Sequence, residues 1–166
     1  MPPTVLGFYL LILFSPNNPL GSLWVELTGS SLAFSFTGLV IASLIYSLPF
    51  MVQPLTAAFA QIGRQPLETA ATLGAKPLDA WRTTVLPMAR GGYLTAAVLT
   101  FAHTVGEFGI VLMVGGNLAG ETRVISIAIY ESVETLNYGQ AHMLSAGLLA
   151  FSFSVLLCVH YRNRPL

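Results

Sequence analysis

Residues 32–52 read LAFSFTGLVIASLIYSLPFMV, without one charged side chain. A bilayer core about 30 Å thick is crossed by roughly 20 helical residues. Lipid offers no hydrogen-bond partner to an open backbone, so a run of this kind reads as a transmembrane α-helix. Three more apolar runs accompany it, at residues 2–14, 93–114 and 143–159. The run 93–114 is long enough to span. The run 143–159 is at the short end and becomes comfortable if it begins near Gln140. The run 2–14 covers about 20 Å at about 1.5 Å per residue. It does not fit a signal peptide, because no Lys or Arg precedes it, Pro2 and Pro3 open it, and no small-x-small cleavage site follows. It reads as a membrane helix that has lost its start.

Composition agrees with this reading. The chain has 166 residues, 54% hydrophobic and 8% charged, with mean hydropathy +0.72. Soluble domains carry about 25% charged residues. The formal net charge of zero provides no basic field for nucleic acid. Cys158 is the only cysteine, which excludes an intrachain disulfide and a cysteine-based metal cluster. The expected fold class is all-α, a polytopic transmembrane helix bundle.

The connectors carry the polar residues. Residues 15–31 read as a loop rich in Pro, Asn, Gly and Ser, with a short interfacial piece around residues 23–27 beside Trp24. Residues 115–138 form a second polar connector with helical character near residues 124–136. Residues 56–92 hold Arg64, Lys76, Arg82 and Arg90, and the tail holds Arg162 and Arg164. With four spans, that connector, the tail and the N-terminus share one side, and Arg123 stands alone on the other. The basic bias assigns the first side to the cytoplasm.

Within residues 56–92 the pattern predicts two short helices joined by a turn. Residues 65–73 form the first, with Glu68 in its first turn, where a carboxylate complements the helix dipole. Gly74 fits its C-terminus. Pro77 starts the second at N1, with Asp79 in its first turn. The second helix carries Trp81, Val85 and Leu86 and meets Pro87 where the third span begins.

Glu68-Thr69-Ala70, then Gly74, then Leu86-Pro87 resembles the "EAA" loop of ABC importer permeases, in which Glu-Ala-Ala is followed by Gly and later by Leu-Pro. Thr69 stands where the family has its first Ala, and Ala71 extends the small surface of Ala70. The resemblance implies a coupling helix that docks on a cytoplasmic ATP-binding subunit. The alternative is an ordinary amphipathic linker. A second set of residues narrows the family. Gly106-Glu107-Phe108-Gly109, Gly116-Asn117, Gly120-Glu121-Thr122-Arg123 and Ala128-Ile129-Tyr130 look like molybdate permeases, as does the opening segment Pro2-Pro3-Thr4-Val5-Leu6-Gly7-Phe8-Tyr9. Sulfate permeases share much of the Gly-Glu-Phe-Gly region. The resemblance covers nearly the whole chain and implies a type I ABC importer permease fold. Residues 1–166 form one permease domain in this reading, with residues 56–92 as its coupling loop. The family carries about two more helices, roughly 50–70 residues by span length, ahead of the segment matching residues 2–14. Met1 therefore reads as an internal or misassigned start.

Thr100, Thr104 and Glu107 recur at helical spacing on the third run, with His103 beside them. Polar groups at membrane depth face the bundle or a watery path. Ala96, Thr100 and Thr104 also form a small-residue row suited to helix packing. The face is a packing face or a pathway lining. Glu107 is not assigned as a ligand of an oxyanion, because at 4 Å two unit charges interact by about 4 kcal/mol at an effective dielectric of 20 and a dianion doubles that. It is read as neutral or paired with a backbone or side-chain donor, shaping a gate with Phe108 and Gly109. His103, His142 and His160 lack companions at ligand spacing, so no metal site is expected. No P-loop sequence and no nucleophile–base constellation occurs, so no cofactor or catalytic residue is expected and the energy must come from elsewhere.

The expected function is that of a permease subunit in a bacterial inner membrane, moving an oxyanion, molybdate in the first place. Its expected partners are an ATP-binding subunit, a periplasmic or extracellular oxyanion-binding protein, a second permease copy and the bilayer. A sulfate or thiosulfate permease and a non-transporting membrane fragment are the alternatives.

Overall fold

The computed structural model describes residues 2–162, without the side chains of His160 and Arg162. Arg164, assigned above with Arg162 to the cytoplasm, lies outside the described residues. Ten α-helices and one π-helical turn follow one another among the described residues, and no strand occurs among them. The chain divides into two compact units. One comprises Met1–Ser47 with His103–Leu166, the other Leu48–Ala102.

In the first unit, α1 (Pro3–Phe14) starts on its proline and ends where Ser15 turns extended ahead of Pro16. Pro3 loses nothing at that position, because its missing N–H would have had no partner in the helix. The polar connector then folds into α2 (Pro19–Thr28), longer than the interfacial piece expected. Asn18 caps it by accepting the Leu20 N–H at 3.2 Å, and Gly29 closes it at φ 75°. α3 (Phe36–Ile62) runs through Pro49 and Pro54 and ends at Gly63, φ 67°. Residues 32–35 form the turn ahead of α3, residues 36–52 are only its first part, and the connector begins after Ile62 rather than at Thr56. Proline inside a membrane helix is tolerated where neighbouring groups satisfy the freed backbone.

The third run is not one helix. α7 (Arg90–Val105) stops, residues 106–108 leave the helical path, and α8 (Gly109–Gly115) follows. Glu107 therefore falls beyond the helix that carries Thr100 and Thr104, which corrects the single helical row read from spacing. α9 (Ile125–Glu134) and α10 (Tyr138–Arg162) complete the chain. α10 begins before Gln140 and so reaches spanning length. Among the described residues two helices, α3 and Tyr138–Val159 of α10, are long and apolar enough to cross a membrane. A third is formed if Pro77–Met88 and Arg90–Val105, bent by 61°, count as one span. α1 is apolar but short.

Leu10, Phe14, Leu32, Leu39, Ile110, Val114 and Ile127 form the core of the first unit. Close approach of α1 and α8 depends on glycine. A Cβ on Gly7 would lie 2.9 Å from Met113 Cβ, and one on Gly109 would lie 3.2 Å from Pro3.

Candidate functional site

Two places collect the residues singled out by the sequence. One is the connector, within the second unit. α4 (Gln65–Thr72) begins with Pro66 in its first turn and carries Glu68 there, exposed. Its end is a Schellman turn: the Gly74 N–H donates to Ala71 O at 3.0 Å and the Ala75 N–H to Ala70 O at 3.0 Å. Gly74 stands at φ 82°, and a Cβ there would meet nothing within 4 Å. The constraint on this glycine is therefore conformational and not steric. Thr69 returns its hydroxyl to Gln65 O at 3.0 Å, so it behaves as a helix-internal group despite its place in the motif.

Lys76 turns extended and α5 (Pro77–Ala80) starts on Pro77. The helix then widens into a π-turn, Trp81–Val85, before α6 (Leu86–Met88). Pro87 gives the reason. It has no N–H for the Thr83 carbonyl one turn back, and its ring would collide with that carbonyl. Widening the turn relieves both. Trp81 stacks on Phe59 with ring centroids 6.1 Å apart, and Phe59 meets Tyr93 edge-on at 6.0 Å. Leu67, Ala71, Ala75, Leu78 and Trp81 line an open groove of about 700 Å³, with Arg64 and Glu68 also on its wall. Leu73, at 84% exposure, stands free beside the Gly74 turn. Leu86 and Pro87 thus serve the bend, while Glu68, Ala70, Ala71 and Gly74 build the presented helix and its stop.

The other place is in the first unit, at the break in the third run. The Glu107 carboxylate, nearly buried, accepts the Ile110 N–H through Oε1 at 3.0 Å. Its backbone carbonyl accepts the Ser126 hydroxyl at 2.7 Å. Its own N–H reaches Thr104 O at 3.3 Å. Gly106, a poor helix former, precedes it. Each backbone group that the break would orphan at the Glu107 residue thus has a partner, as a buried break requires. Oε2 lies 4.0 Å from His103 Nε2. On the other side of the imidazole, Nδ1 lies 3.3 Å from Ser47 Oγ, which also pairs with Thr104 Oγ1 at 2.9 Å. Tyr46 packs against the His103 ring at 4.8 Å, and Phe108 against Tyr130 at 4.8 Å. Glu134, one turn beyond Tyr130, raises that phenol above its ordinary range, first through a hydrogen bond and then through its charge.

Thr104 and Glu107 come together here, with Phe108 and Gly109 beside them in the chain. Thr100 is elsewhere, on the part of α7 in the other unit, where its buried hydroxyl has no hydrogen-bond partner. Ser43, Ser47 and Ser126 were missed by the sequence reading. The available signal was Ser43 and Ser47, one helical turn apart on α3, on the same face as the buried Leu39. Beyond the break, Thr122 closes the loop after α8 by donating to Gly115 O at 2.6 Å and accepting from the Leu118 N–H at 2.9 Å. No cluster of His, Cys, Asp and Glu suited to a metal ion occurs among the described residues.

Residues 1–163 match the family described as binding-protein-dependent transport system inner membrane component. The chain is 53% identical over 164 residues to a molybdenum transport system permease protein of Azotobacter vinelandii, covering 99% of this chain and 73% of that protein. It is 33% identical over 135 residues to the corresponding Haemophilus influenzae protein, covering 81% of this chain and 59% of the relative. A sulfate transport system permease protein of Salmonella typhimurium is 29% identical over 160 residues, covering 96% of this chain and 57% of the relative. The last two relatives thus extend well beyond the length this chain spans.

Proposed function

Because the chain belongs to the binding-protein-dependent transport system inner membrane components, we propose that it is the permease subunit of an ABC importer whose cargo is molybdate. The observation that carries the cargo is the likeness to a molybdenum permease across nearly the whole chain, at far higher identity than to a sulfate permease. Sulfate or thiosulfate is the second reading.

The connector is the coupling element. α4 presents Glu68, Ala70 and Ala71 and is stopped by Gly74, so a partner can approach a short, small-surfaced helix closely. The partner is a separate ATP-binding subunit, since the chain has no P-loop of its own. The bend at residues 81–89 carries that helix into α7 (Arg90–Val105), a direct mechanical path from the docking surface into the membrane. ATP binding shifts the balance between two states of the bundle, which requires only that the nucleotide favour one of them. The connector faces the cytoplasm, as do both ends of the chain, and Arg123 lies on the opposite side with the oxyanion-binding protein. Two copies of the permease form the pathway.

Uptake of molybdate, tungstate and sulfate is measured in competition, in cells expressing the subunit with its ATPase and binding protein. Uptake that depends on the ATPase and is suppressed by tungstate but not by excess sulfate is the expected result. Uptake suppressed equally by sulfate moves the cargo to the second reading, and no ATPase-dependent uptake of any oxyanion removes the transport reading.

A further inference from the structure

A groove of about 420 Å³ opens in the first unit beside the break, and Ser43, Thr104, Glu107, Arg123 and Ser126 are its polar lining among apolar walls that include Val111 and Phe151. We propose that this groove is a transit site for the oxyanion, in which Arg123 supplies the charge and Ser43 a hydrogen-bond donor; the inference rests on the oxyanion-permease reading above.

The chemistry of each group argues for it. Arg123 is the only Lys or Arg of the chain between Arg90 and the basic tail. Its Nε donates to Asn117 Oδ1 at 3.1 Å and its Nη2 pairs with Glu131 at 3.2 Å. These two contacts fix the plane of the guanidinium and leave Nη1 with no partner among the described residues. A planar guanidinium held in this way presents a directed donor to an anion, which a flexible ammonium does not. Ser43 is the second observation. Only 9% of the residue is exposed, yet its hydroxyl makes no hydrogen bond among the described residues, although serines on helices commonly return theirs to the preceding turn. Its oxygen is not among the enclosed unpaired polar atoms, so the hydroxyl is open to the groove and available to what fills it. The groove is what it faces.

Glu107 is the one carboxylate of the lining, with Oε1 on the Ile110 N–H and Oε2 4.0 Å from His103 Nε2, so the anion is placed at the Arg123 side of the groove and not against this carboxylate. The Ser126 hydroxyl is spent on the Glu107 carbonyl and is not a donor to cargo. The site is therefore sparse, one cation and one free hydroxyl, which suits a passage that must release what it binds.

The test is equilibrium binding of labelled molybdate to the purified permease–ATPase complex without binding protein. Arg123→Gln removes the charge and is expected to weaken binding at least about tenfold, the scale of one lost charge-assisted hydrogen bond. Ser43→Ala is expected to weaken it a few-fold. Glu131→Gln is the control for a merely structural role, since it breaks the same ion pair but keeps the cation, and it should leave binding equal or tighter. If Arg123→Gln and Glu131→Gln weaken binding alike, or if Arg123→Gln leaves it unchanged, the site is wrong. If the wild-type complex transports molybdate but shows no Arg123-dependent binding, this inference falls while the permease reading stands. If the wild-type complex neither transports nor binds any oxyanion, the permease reading itself has failed.

Discussion

The connector of the second unit and the break of the first both interrupt helices, but by different means. The turn after α4 is built from neighbours. Gly74 takes φ 82° and donates its N–H to Ala71 O, and Ala75 next to it donates to Ala70 O. The π-turn follows from Pro87 in the same local way. The break at residues 106–108 has two local bonds, from the Ile110 N–H to the Glu107 carboxylate and from the Glu107 N–H to Thr104 O, and one distant bond, from the Ser126 hydroxyl nineteen residues on. A local device survives transplantation into another context. A device with a distant member exists only when the fold has brought that member in.

Substitutions test this contrast. The largest effect on transport is expected from Gly74→Val, which forces a β-branched residue into the left-handed region at a cost of more than about 1–2 kcal/mol. The variant should insert normally but lose the ATPase in affinity co-purification, with uptake down at least about tenfold. Gly74→Asn should retain much of both, since Asn tolerates this conformation. Normal ATPase retention by the Val variant would break the link between the turn and docking.

Glu107→Leu comes next. It leaves the Ile110 N–H, in a residue with no exposed surface, without its acceptor, at about 1–3 kcal/mol. Glu107→Gln keeps an amide oxygen for the same bond and should recover most of the loss. Thermal unfolding of the detergent-purified subunit reads the difference. Equal midpoints for the Leu and Gln variants would mean that the carboxylate does not hold the break.

Ser126→Ala should lower stability by about 1 kcal/mol through the lost bond to the Glu107 carbonyl. Ser132→Ala loses only a bond to Ala128 O within α9 and serves as its comparison. A larger loss from the second would reverse the ranking of distant over local. The smallest effect is expected at the motif position that departs from the family pattern. Thr69→Ala should change stability by no more than about 0.5 kcal/mol, in the stabilising direction, since Ala is the better helix former. ATPase retention should be unchanged. A clear loss of retention would show that the threonine hydroxyl touches the partner.

The amino-acid sequence by itself determined that this chain belongs in lipid. Eight per cent charged residues cannot cover a water-facing surface. It also determined the turn and the helix starts inside the connector, though not where α3 ends ahead of it, because Gly74, Pro77 and Pro87 act on the backbone within one turn of where they stand. Periodicity could not find the break in the third run. Residues 93–114 are apolar apart from a few small polar groups, His103 and Glu107, and apolarity carries no information on whether a helix continues. Only the tertiary structure decided that, through the carbonyl of Glu107 and the hydroxyl of Ser126. It likewise decided that Ser47 of α3 meets His103 and Thr104, which are 56 and 57 residues away, and that Ser43 and Arg123 line one groove. The reason is the range of the forces. Backbone dihedral preferences act within a turn and leave their mark in the order of residues. Side-chain hydrogen bonds between segments exist only after packing has fixed which faces meet.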